Sequence, residues 1–187
     1  MTTFTCHATS SLLLVIDVQE RFQAAIPAIA ADAAVGRNLV RLLQGAGLLA
    51  VPRVVTRQYP NGLGDTVEHL REHLDQDDVV MDKTHFSVLD DLALREHLAQ
   101  SEAETIIVAG IEAHVCVLAT VADLCQRGYQ VLVAADAVAS RDAQHCQWAC
   151  DSMRQLGAIV LPVESILFRL QRQAGVGAFK ALSALVK

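Results

Sequence analysis

The 187-residue chain has no apolar run near the roughly 18 residues that a membrane-spanning helix needs, which removes the membrane as a partner. It has no basic run either, and 15 basic against 21 acidic residues leave a formal charge of -6. That balance argues against nucleic acid or an anionic surface as the main partner. Charged residues make up only 19% and apolar ones 52%, which excludes a disordered chain. No GxGxxG or Walker pattern supports nucleotide binding. The five cysteines are odd in number and show no CxxC spacing, so a disulfide framework is not expected. Met1 to Ser11 lacks a basic start and Asp17 soon interrupts the apolar stretch, so a secretion signal is not expected. The composition predicts a soluble cytoplasmic protein in a reducing compartment.

What is present is a series of short apolar runs rich in β-branched residues: Leu12 to Ile16, Val51 to Thr56, Thr105 to Ala109, Val131 to Ala135, Ala158 to Val163 and, more weakly, Val79 to Met81. None alternates with polar residues, as expected for strands covered on both faces of a parallel sheet. Helical spacing lies between them, at Val35, Leu39, Leu42 and Leu43, at Leu92, Leu94 and Leu98, at Val117, Val121, Leu124 and Cys125, and at Trp148, Met153 and Leu156. Gly47, Gly128 and Gly157 each stand where a helix gives way to a strand, the position that favours a left-handed backbone. Ala24 to Ala34 has helix-compatible composition. The pattern predicts a three-layer α/β/α fold with a mostly parallel sheet of about six strands. No linker divides the chain, so residues 1–187 read as one domain, with a core over about 11–163 and a helical segment over 164–187.

In such a sheet ligands bind at the carboxyl ends of the strands. Asp17 follows the first strand, Lys83 the weak one, and Cys116 stands where the loop after Ala109 turns into a helix. A thiol at a helix start faces free N–H groups and the positive dipole end, which lower its pKa. A lysine would stabilise the thiolate and an aspartate accept its proton. Singly, each has a plainer reading: Cys116 a small buried hydrophobe, Asp17 a buried carboxylate satisfying loop amides, Lys83 a solvated lysine. Their convergence on one sheet edge is what sets them apart. Gln19, Phe22, Gln58, Tyr59, His85 and Phe86 also follow strand ends and are candidate pocket linings. Arg57 could pair with a substrate carboxylate or with a neighbouring acid.

Leu14-Val15-Ile16-Asp17-Val18-Gln19, Asp82-Lys83 and Gly110-Ile111-Glu112-Ala113-His114-Val115-Cys116-Val117 resemble the isochorismatase-like cysteine hydrolases, in unbroken order from about Ser11 to Val163. Gln58 to Gly64 and Ile111 to His114 are similar to the isochorismatase domain-containing subgroup. The resemblance implies Cys116 as nucleophile, Asp17 as general base and Lys83 as supporting cation. It also implies a cis peptide at Ile111-Glu112 and an oxyanion hole from the amides of Glu112 and Cys116. The implied reaction is attack on an amide or related carbonyl, loss of ammonia or amine, and hydrolysis of a thioester. Two departures stand out. The Asp-x-His metal motif of the family's nicotinamidases is replaced by Thr56-Arg57-Gln58-Tyr59, so no metal or other cofactor is expected. Ala113 replaces a common threonine, with His114 beside it as a further candidate pocket residue.

Other clusters read as structural. His69 and His73 share a helical face but sit among Glu68, Arg71, Glu72, Asp75 and Asp77, a solvated setting. Cys146 and Cys150, near His145, suit helix packing. Cys125 lies roughly 13 Å along the helix from Cys116, too far for a disulfide. Cys6 falls in an N-terminus expected to be loose. The leading expectation is a metal-independent cysteine hydrolase of a small amide-like substrate, assembled as a homo-oligomer. The alternatives are an isochorismate-type vinyl ether hydrolase and a catalytically idle binding or thiol-sensing protein.

Overall fold

The structure, a computed structural model, describes residues 5–187; the first four residues of the stretch weighed as a leader lie outside them. Six strands form one sheet in the order β3-β2-β1-β4-β5-β6: β1 Ser11–Ile16, β2 Arg53–Gln58, β3 Val79–Lys83, β4 Thr105–Ile111, β5 Gln130–Ala139 and β6 Ile159–Leu161. Every pairing is parallel. The central β1 and β4 are buried at every position, hence their unbroken apolar runs. β3 forms an edge and alternates between half-buried and exposed along most of its length, hence its weaker signal. β5 continues to Ala139, beyond its most apolar stretch, and β2 starts at Arg53, after the Pro52 carbonyl has accepted a bond from Leu13.

The helices are α1 Ala34–Leu48, the single turns α2 Pro60–Leu63 and α3 Glu68–Arg71, α4 Leu92–Gln100, α5 Leu118–Gln126, α6 Ala143–Gln155, α7 Val163–Gln171 and α8 Phe179–Leu185. Successive residues of β1 point to opposite faces. Leu13 and Val15 join Leu39, Leu43, Leu167 and Leu182 of α1, α7 and α8 in one core. Leu12, Leu14 and Ile16 join Leu94, Val121, Leu124 and Met153 of α4, α5 and α6 in the other. Burying a side chain of this size contributes about 1.5–3 kcal/mol, so the two cores supply most of the drive to fold. Among the described residues no helix is long and apolar enough to cross a membrane.

Several local expectations are corrected. Gly128 and Gly157 have positive φ (85° and 101°) after α5 and α6, but Gly47 stays inside α1 and Ala50 takes the left-handed position at φ 53°. A Cβ on Gly47 would lie 2.9 Å from the guanidinium of Arg53, so this glycine makes room for a buried cation. Ala24 to Ala33 forms no α-helix: Pro27 opens a 3-10 turn, Pro27–Ile29, and Ile26 and Ile29 are pinned in the core. Cys6 is fully buried, with its sulfur 3.6 Å from Ser11 Oγ, rather than in a loose terminus. On α6, Trp148 and Leu156 face outward and only Met153 of the three marker residues is buried.

Candidate active site

The strand order places the ends of β1 and β4 side by side where the chain changes direction across the sheet, the position at which open α/β sheets form their crevice. Asp17 leaves β1 in a left-handed conformation, φ 56°. Its N–H donates to the Thr56 carbonyl (3.1 Å), and its Oδ1 accepts from Thr56 Oγ1 (2.8 Å). Oδ2 accepts from Lys83 Nζ at 2.6 Å. Lys83, at the end of β3, reaches past β2 to make this contact and is not a solvated lysine, since its side chain is 0% exposed. Its ammonium also donates to Gln58 Oε1 (2.6 Å) and faces the carbonyls of His85 (3.2 Å) and Phe86 (3.3 Å). A buried ion pair needs such added bonds to offset the loss of water.

Cys116 lies in a π-helical turn, Ala113–Val117, that runs directly into α5. Its carbonyl accepts from Thr120 Oγ1 at 2.7 Å, and Thr120 Oγ1 accepts from the Val88 N–H at 3.1 Å. These bonds tie the turn to the loop after Lys83. The charges of Asp17 and Lys83 both act on the Cys116 thiol. Burial pushes its pKa up to about 12, the charge of Asp17 pushes the same way, and Lys83 pulls it down. The lowering expected at a helix start is therefore outweighed by burial and the charge of Asp17, which keep the proton on the sulfur.

Gly110 allows the two strands to meet. It has φ 134°, and a Cβ there would fall 2.2 Å from the Ile16 carbonyl oxygen. The next turn differs from expectation, because no cis peptide occurs among the described residues and Glu112 is instead left-handed at φ 52°. The Glu112 carboxylate is clamped by Arg141 through two bonds of 3.0 and 3.1 Å.

The remaining candidates divide. Gln58 touches the trio and donates to the Thr84 carbonyl (2.7 Å). Tyr59, His85 and Phe86 are exposed beside it, and the Tyr59 N–H donates to the Lys83 carbonyl at 2.9 Å. Gln19 is fully buried, and its amide is taken up by the backbone of Gln58 and Gly64, which makes it a fastener of this edge rather than open lining. Phe22 is half-buried against the α1-side core. His114 turns to the β5–α6 side, with Nδ1 2.9 Å from Ser140 Oγ and its ring 5.0 Å from that of His145. Arg57 pairs with Asp82 (2.7 Å) and Asp65 (2.9 Å). Thr56 and Thr120 carry bonds for which no local sequence signal exists.

The positions of the missing metal motif are thus engaged otherwise, Thr56 with Asp17, Arg57 with two acids and Gln58 with Lys83. Among the described residues no three His, Cys, Asp or Glu side chains gather to hold a metal ion, the His69 and His73 pair included.

A family model for the isochorismatase domain matches residues 11–165. The chain is 40% identical over 185 residues to the secreted isochorismatase effector Isc1 of Phytophthora sojae (strain P6497), covering 95% of this chain and 85% of that protein. It is 37% identical over 179 residues to isochorismatase domain-containing protein 2A of Mus musculus, covering 95% and 83%. The solved structure of the MAR1 ribonuclease from Caenorhabditis elegans matches with a TM-score of 0.90 at 36% identity, covering 97% of this chain and 92% of that one. The parallel sheet, the strand-end residues and these matches agree, and the chain belongs to the isochorismatase family, with that family's hydrolase fold.

Proposed function

We propose that the protein is a cysteine hydrolase that cleaves a small amide-like compound without a metal. The observation that carries this reading is the buried grouping of three residues: Asp17 lies 2.6 Å from Lys83, and the buried Cys116 thiol feels the charge of both. Proton transfer from Cys116 to Asp17 removes the carboxylate's charge, the strongest influence after burial that holds the proton on sulfur, and leaves Lys83 beside the new thiolate. The sulfur attacks the carbonyl carbon, and the amides of Glu112 and Cys116 are the proposed donors to the oxyanion. The proton on Asp17 passes to the departing nitrogen, so ammonia or an amine leaves. Asp17, again a carboxylate, takes a proton from water, which hydrolyses the thioester and regenerates the thiol. Gln58, Tyr59, His85 and Phe86 are the proposed surroundings of the substrate.

The vinyl ether reading fits the charges less well. Isochorismate carries two carboxylates, whereas Arg57 is paired with Asp65 and Asp82 and Arg141 with Glu112. The worm relative is described as a ribonuclease. An RNA substrate is disfavoured for this chain by its net charge of -6 and lack of a basic run. All five cysteines are free, which suits the proposed cytoplasmic setting. Exposed Leu48, Leu92, Trp148 and Leu156 suit a homo-oligomer, which light scattering would count.

The test is release of ammonia or amine from a panel of small amides by wild-type protein and Cys116→Ala, with isochorismate and a single-stranded RNA as parallel substrates. Activity on amides that vanishes in Cys116→Ala supports the reading. Equal activity in both proteins removes Cys116 from the mechanism, and turnover of only the ether or the RNA replaces the substrate class.

A further inference from the structure

Cys146 and Cys150 lie four residues apart on α6, hence on one face of the helix and about 6 Å apart along its axis. Both residues line one cavity of about 270 Å³, and the Cys146 thiol donates to the Val138 carbonyl in its wall at 3.8 Å. The cavity lies beyond the short β6: this strand pairs with β5 only from Leu132 to Ala134, and among the described residues no strand pairs with β5 on that side from there to Ala139. Ala28, Val35, Ala135 and Val138 make its walls largely apolar. Cys150 is 6% exposed and Cys146 half-buried, so the pair is reached through this opening. Neither sulfur takes part in the chemistry proposed for Cys116.

The donor set selects the ligand. Two thiols one helical turn apart on the same face can chelate one soft centre. Among the described residues no third His, Cys, Asp or Glu joins them, so a zinc ion or inorganic arsenite, which take three or more ligands, is poorly matched. An element that brings its own organic substituent and has two valences left for sulfur is matched, with the apolar walls taking the substituent. We propose that Cys146 and Cys150 form a dithiol site for a monosubstituted trivalent arsenical, seated with its organic group in the cavity beside Ala135 and Val138. In the binding step two As–S bonds form while the As=O bond and both S–H bonds break. The oxygen leaves with the two protons as water, and arsenic stays trivalent. The neighbouring Cys146 thiol and the nearby Arg154 lower the pKa of Cys150, which favours it as the first sulfur to attack.

The experiment is titration of the full chain with phenylarsine oxide, followed by intact mass and peptide mapping. One phenylarsine group per chain is expected, bridging Cys146 and Cys150, resistant to excess 2-mercaptoethanol and released by 2,3-dimercaptopropanol. Cys146→Ser and Cys150→Ser, each checked for folding by circular dichroism, should bind at least ~100-fold more weakly, the loss expected when a chelate becomes a single bond. Cys116→Ser should bind as wild type does, and inorganic arsenite should be displaced by the monothiol. No adduct on wild type, release by the monothiol, an adduct undiminished in either single variant, or one that requires Cys116 would each overturn the proposal. The wild-type displacement experiment decides the matter even if a variant fails to fold.

Discussion

The Asp17 carboxylate and the Lys83 ammonium lie 2.6 Å apart, with side chains 1% and 0% exposed. Two opposite charges so deeply buried lose their water, and Thr56, Gln58 and two backbone carbonyls replace it. The thiol of Cys116 completes the group as a neutral partner. The pair is thus held ready to change its charge distribution by one proton, and the consequences can be measured.

The Asp17 charge keeps the proton on Cys116. Asp17→Asn should lower turnover by roughly 10²–10⁴-fold, the usual worth of a general base. The same change should speed alkylation of Cys116 by iodoacetamide at pH 8, because a cause of the raised thiol pKa is gone. Parallel kinetics and intact mass would show the two rates moving in opposite directions. Slower alkylation in the variant contradicts the assignment.

Lys83→Met strands a buried carboxylate. Urea unfolding should give a loss of about 3–5 kcal/mol, and adding Asp17→Asn should restore part of it because no unpaired charge then remains. A double variant less stable than Lys83→Met would count against the pairing.

The raised thiol gives stability a sign at alkaline pH. In the unfolded chain Cys116 ionises near its ordinary value of 9.0, while the folded form holds its proton until about 12. The folded state then binds more protons, so its stability falls as pH rises through this window and is unaffected by this group at neutral pH. The difference between wild type and Cys116→Ser, measured by denaturant unfolding from pH 7 to 11, should shrink by an amount approaching about 1.4 kcal/mol for each pH unit above 9. A flat difference would place the thiol in an ordinary environment.

Gly110→Ala sets a methyl group against the Ile16 carbonyl, at 2.2 Å, and in a backbone conformation alanine avoids. A loss of more than about 2 kcal/mol is expected by thermal or urea unfolding, with β1 and β4 pushed apart beside Asp17. Gly128→Ala meets nothing within 4 Å and should show only the milder cost of its left-handed backbone.

The strands and the candidate trio were legible because both are local signals. An apolar run such as Leu12 to Ile16 marks a strand covered on both sides, and a polar residue just after it marks the crevice edge. What escaped the sequence depends on distant partners. Thr56 acts on a residue 39 positions away, Gln19 on residues 39 and 45 away, and Thr120 on one 32 away. The state of the Cys116 thiol escaped for the same reason: the helix start was visible, but the burial and facing carboxylate that outweigh it were not. Gly47 shows the local rule misapplied, since a glycine near a helix end was needed for the girth of Arg53 and not for a turn.

The wide turn at Ala113–Val117 bears on how this chain can change. Each residue advances an α-helix by about 100°, so deleting one residue there would relax the turn into regular helix and rotate Cys116 away from Asp17 by roughly that angle. Point substitutions leave this phase intact, whereas a single-codon deletion would erase the alignment in one step. The spacing between Gly110 and Leu118 is therefore a quantity to which the proposed chemistry is more sensitive than to most of the side chains along it.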